Sequence, residues 1–76
     1  MTRTQLLRQT LAAGPDSPEN RALKRVLEEA AAQVRDWHHF ADTEADPTKA
    51  ILYRSRAEYH QHYINLIDTQ LLGAAS

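Results

Sequence analysis

Two matched helix-start signals, Ser17-Pro18-Glu19 and Asp46-Pro47-Thr48, constrain this chain more than any other feature. Each opens a run of more than twenty residues with helical apolar spacing and no internal Pro or Gly. A Ser or Asp side-chain oxygen accepts from the N–H groups that a first helical turn leaves unpaired. Proline suits the next position, where its missing donor would have had no partner anyway. The sequence therefore predicts an all-α fold dominated by two long helices and a short acidic turn.

Three helices are expected, over about 2–13, 18–41 and 47–72, in a single helical domain of 76 residues. In the first, Leu7 and Leu11 share a face, Gly14 is placed as the C′ residue and Pro15 forbids continuation. In the second, Leu23, Leu27, Ala30, Val34, Trp37 and Ala41 form a coiled-coil-like seam that Val26 and Phe40 widen. Arg21, Arg25, Glu28, Arg35 and Asp36 fall largely off that seam, as a solvated face requires. Asp42-Thr43-Glu44-Ala45 is short enough to send the third helix back antiparallel. The third helix carries two stripes, with Gly73 as its stop and Gly73-Ala74-Ala75-Ser76 as a small tail. Tyr53, Ala57, His60, Ile64, Ile67 and Leu71 make one stripe; Leu52, Tyr59, Tyr63 and Leu66 make the other. One seam serves a hairpin, so two stripes call for two neighbours.

A hairpin folded about Glu44 sets opposite one another residues whose numbers sum to about 88. That register places Ala30-Ala31-Ala32 as small sockets at the level of the Tyr59 ring. Trp37 then meets Ile51 and Leu52, and Glu28 and Glu29 come level with His60. Ile64, Ile67, Leu71 and Leu72 run level with the start of the second helix and beyond it. The first helix covers part of this group through Leu7 and Leu11, and a second copy is expected to cover the rest. With Tyr59 and Tyr63 these residues form the expected interface. Chains of this size bury only roughly 60% of their unfolded surface and are stabilised by disulfides, a metal or association. Cysteine is absent. A homo-oligomer, dimer or higher, assembling into a helical bundle is the expectation.

The net charge of −1 and pI near 6.4 give no global attraction to nucleic acid or acidic membrane. No window reaches the ~20 apolar residues of a membrane span. Met1-Thr2-Arg3-Thr4-Gln5 has a basic residue but no apolar core of the length a secretion signal needs, so none is expected. A cysteine-free chain suits a reducing compartment, so a cytoplasmic location is expected. Two glycines leave no room for a phosphate-cradling loop, and no cofactor is expected. No Ser/His/Asp arrangement or carboxylate pair has supporting geometry, so the chain is not read as an enzyme.

Four histidines invite a metal reading. His38 with Asp42 and Glu58 with His62 are i,i+4 pairs, each a half-site that a partner chain or a different hairpin register would have to complete. The alternative reading leaves the histidines solvated or interfacial, with His60 hydrogen-bonded to Glu29. Arg21, Lys24, Arg25 and Arg35 make the second helix partly basic, as Lys49, Arg54 and Arg56 do the third, with acids interspersed. Trp37-His38-His39 lacks the glycine of WXG-type secreted hairpins, and no family resemblance is drawn from it. The sequence is read as a helical protein–protein interaction module, an adaptor, regulator or assembly protein whose partners are itself and another protein. A metal-binding bundle with His and carboxylate ligands across subunits is the first alternative. Nucleic-acid binding through the Arg/Lys faces is the second.

Overall fold

The computed structural model describes residues 2–73 and contains α1 (Arg3–Ala13), α2 (Pro18–Thr43) and α3 (Pro47–Leu71). The expected all-α architecture is present. Most tertiary contact joins α2 to α3 as a long hairpin, and the short α1 packs on both. The molecule measures 45 × 24 × 20 Å.

Both long helices start as their sequences direct. Ser17 Oγ accepts from the Asn20 N–H at 3.1 Å, and Asp46 Oδ1 from the Thr48 N–H at 2.9 Å. The start of α1 adds a capping box. The Gln5 N–H donates to Thr2 Oγ1 at 3.1 Å, and the Thr2 N–H donates to Gln5 Oε1 at 2.8 Å.

The helix ends depart from expectation in instructive ways. Gly14 ends α1 at φ −79° and ψ 176°, extended rather than left-handed. The following Pro15 clashes with helical backbone at the residue before it and forces that conformation. Glycine matters there for space: a Cβ would stand 2.9 Å from Asn20 Nδ2, the amide that donates to the Pro15 carbonyl at 2.8 Å. α2 continues two residues past its expected end to Thr43, whose hydroxyl donates to the His39 carbonyl at 3.0 Å. α3 closes at Leu71, and the Leu72 N–H donates to the Asp68 carbonyl at 2.8 Å. Residues 74–76 of the tail lie outside the described residues.

The core is a cluster of Leu7, Leu11, Leu27, Ala30, Ile64 and Ile67, with Leu23, Ala31, Val34, Leu71 and Leu72 packed against it. Towards the turn only small residues are buried, Ala41, Ala50 and Ala57. Arg3 forks onto Asp68 at 2.5 and 3.0 Å, and Arg8 pairs with Glu28, so α1 is tied to both long helices. Cover for the end of α3 therefore comes from within the chain. Ile64 and Ile67 are buried, and Leu71 and Leu72 half-buried, against α1 and the start of α2. The expectation that they need a second copy is corrected on that ground.

The hairpin register is also shifted, by about two in the sum of opposed residue numbers. The extra α2 residues up to Thr43 move the midpoint of the turn from Glu44 to Ala45. Trp37 lies against the Tyr53 ring, with centroids 5.5 Å apart, and Ile51 and Leu52 are exposed. Ala30 shares a cleft with His60, whereas Tyr59 is 61% exposed, so the alanines are not sockets for that ring.

Candidate functional site

α1 occupies one broad side of the hairpin, the side marked by Glu28 on α2 and Asp68 on α3. At 3.6 residues per turn, the flank of each long helix turned away from α1 carries its own periodic set. On α2 this set is Val26, Gln33 and Phe40; on α3 it is Leu52, Tyr59 and Leu66, with Tyr63 beside them. Every one of these seven is exposed in the structure. Phe40 keeps 48% of its surface accessible, Leu52 58% and Leu66 52%. The two sets border one another across a shallow cleft of about 390 Å³ lined by Val26, Glu29, Ala30, Gln33, His60 and Tyr63. With Gln33 among them, they form one largely apolar and aromatic face, and none of the described residues covers it.

Local contacts stiffen this face. The Tyr59 and Tyr63 rings meet edge to face at 5.5 Å, and their hydroxyls share a hydrogen bond at 3.0 Å. That bond, with the nearness of Tyr59 and a smaller contribution from burial, holds the Tyr63 hydroxyl above the ordinary tyrosine pKa. Nearer the turn, Trp37 packs edge-on against Phe40 at 5.7 Å, and the Arg56 guanidinium lies 5.6 Å from the indole centroid. Trp37 Nε1 is buried without a hydrogen-bond partner among the described residues. The tyrosines and the tryptophan combine a large apolar surface with a polar edge, and Phe40 adds apolar area alone; such rings supply contact area at little cost in side-chain entropy.

The residues expected at an interface divide sharply. Tyr59 and Tyr63 lie on the open face, whereas Leu7, Leu11, Ile64, Ile67, Leu71 and Leu72 belong to the core of the single chain or its margin. Val26, Phe40, Leu52 and Leu66 take their place as candidates. The sequence showed them as a second stripe and as a widening of the α2 seam; knowing which side α1 covers turns both into one surface.

The metal half-sites are not brought together. His38, Asp42, Glu58 and His62 are all exposed, and no group of three or more metal-ligating side chains occurs among the described residues. No hydrogen bond joins His60 to Glu29 there, although both line the cleft. The basic residues are likewise dispersed. Arg3, Arg8, Arg21 and Arg35 are engaged with Asp68, Glu28, Asp16 and Asp36. Lys24, Arg25, Lys49, Arg54 and Arg56 point around the bundle rather than along one stripe. No helix among the described residues is long and apolar enough to cross a membrane.

By fold and surface, the described residues form three helices and leave a hairpin face uncovered. No known family, curated protein or solved structure matches the chain.

Proposed function

We propose that this chain is a non-catalytic protein–protein interaction module that works through the uncovered α2/α3 face. The observation carrying this reading is the alignment of Val26, Phe40, Leu52, Tyr59, Tyr63 and Leu66 on the side of the hairpin that α1 leaves open. Their accessible surface, most of it apolar, is on the order of 600 Å², at the upper end of what a soluble monomer exposes as one patch. Aromatic rings, with an arginine beside them at Trp37, are among the residue types that dominate binding at protein interfaces.

The test is site-specific photocrosslinking in the source cells. Photoreactive residues at positions 59 and 66 should capture protein, and the same group at Arg35 or Arg54, off the face, should not. Equal capture at all four positions, or none at 59 and 66, would overturn the assignment. Capture of nucleic acid would replace it with the second alternative.

A further inference from the structure

We infer that the occupant of the open face is a second copy of this chain, seated antiparallel about a two-fold axis that passes Tyr59 and Gln33. This rests on the reading of the face as an interaction surface and names its partner. The argument is one of spacing. Leu52, Tyr59 and Leu66 are seven residues apart in succession, and so are Val26, Gln33 and Phe40. A seven-residue repeat on exposed helix faces is the pattern that packs against other helices at shallow angles.

Both triplets are also symmetric about their centres. Turning one copy over about an axis through Tyr59 lays Leu52 on Leu66 of the second copy and Tyr59 on Tyr59. It also sets the small Ser55 against the bulky Tyr63, as interdigitated packing prefers. The same operation on α2 lays Val26 on Phe40 of the second copy and Gln33 on Gln33. One axis serves both helices only if Tyr59 and Gln33 stand at the same height in the hairpin. The observed register comes close to that condition. Ala30 lies beside His60 and Trp37 beside Tyr53, so Gln33 and Tyr59 differ by only about two residues, or roughly 3 Å along the helices. Each residue then meets a partner that meets it in return, the condition for a closed two-fold interface.

The area agrees with that occupant. A largely apolar surface on the order of 600 Å² per copy, with its polar rim, approaches the roughly 800 Å² per partner of a standard interface. The product is an antiparallel four-helix bundle, with each α1 on its outer side. A lone helix would settle in the cleft between α2 and α3 and leave Leu52 and Leu66 at the outer edge unused.

The absence of cysteine from the chain makes the geometry directly testable. Tyr59→Cys sits on the axis and should give a disulfide-linked dimer under mild oxidation. Leu66→Cys alone should not, because its counterpart is about 21 Å away along the helices, far beyond disulfide reach. Mixing Leu66→Cys with Leu52→Cys should restore the crosslink, as a heterodimer. Sedimentation of the wild-type chain should give twice 8.6 kDa, and Tyr59→Glu should halve the mass with helix content unchanged. A monomer at 100 µM, or a Leu66–Leu66 crosslink, overturns the inference. If the chain is monomeric while positions 59 and 66 still photocrosslink another protein, the interaction face stands and only self-occupancy fails. If neither occurs, both fall.

Discussion

Leu7 and Leu27 are both fully buried, yet replacing them by alanine should have different consequences. α1 has 11 residues, and isolated helices shorter than about 12–15 residues are marginal in water. It is helical because it is docked. What docks it is Leu7 and Leu11, together with the pairs of Arg3 with Asp68 and Arg8 with Glu28. The Arg8–Glu28 pair is exposed on both sides, and exposed pairs contribute little. Burying each leucine contributes roughly 1.5–3 kcal/mol before the ordering of the helix is offset. Removing Leu7 therefore takes away about half of the apolar part of the docking energy. Once docking fails, further loss cannot accrue, because α1 undocks and the hairpin remains.

Leu27 lies within the hairpin as well as under α1, so Leu27→Ala should show the whole of the ~2–5 kcal/mol typical of a buried leucine truncation. Against the ~4–11 kcal/mol expected for a chain of this length, that lowers the melting temperature by roughly 10–30 °C. Leu7→Ala should lower it by less. Hydrogen exchange should then show α1 amides exchanging far faster than those of α2 and α3, as local opening predicts. Equal melting losses, with α1 and hairpin amides still exchanging together, would refute the two-tier picture and make the three helices one cooperative unit.

The Arg3 hydrogen bond, aided by its charge and opposed by partial burial, holds the Asp68 carboxyl below its ordinary value of 3.8. A depressed folded-state pKa stabilises fully above the unfolded value and is lost as pH falls through the folded value. Wild type should therefore exceed Asp68→Asn in thermal stability at pH 7 and converge with it below the carboxylate range; a constant difference down to pH 2 would contradict this. Ala57 is fully buried between the long helices, so Ala57→Leu should cost roughly 1–3 kcal/mol by overpacking, whereas Ala22→Leu, on an exposed position, should not; a raised melting temperature for Ala57→Leu would show the hairpin to be looser than it looks. Zinc or nickel should leave the melting temperature within a few degrees, with His62→Ala indistinguishable from wild type, and a metal-induced rise lost in that variant would restore the metal alternative.

Helix starts were legible because capping is local chemistry: Ser17, Asp46 and the proline after each act within four residues of sequence. The Thr2–Gln5 box was equally local, and its T-x-x-Q spacing was there to be read. Register was less legible because it depends on where α2 stops. The Thr43 hydroxyl, reaching back to the His39 carbonyl, carries the helix two residues further than composition indicates. The covering of α3 was not legible at all from periodicity. Apolar spacing says which face of a helix must be buried, but not which neighbour buries it. Ile64 and Ile67 looked as available for a second copy as Tyr59 and Leu66 did, until α1 was seen to lie across them.

That placement of α1 separates two properties that small helical chains often combine. Had the second copy been needed to cover Ile64 and Ile67, folding and association would have been one event, and any interface variant would also have unfolded the chain. Here the leucines of α1 complete the core from within, and the residues left over are already exposed in the single chain. Tyr59→Glu and Leu66→Glu should consequently change mass and partner capture without changing helix content. Leu7→Ala, conversely, should loosen α1 and leave the face on the opposite side of the hairpin intact. A Leu7→Ala variant that still forms the Tyr59→Cys crosslink at the wild-type rate would demonstrate the separation. Loss of that crosslink together with α1 protection would show that the two sides of the hairpin are coupled through the Leu27 and Ala30 layer between them.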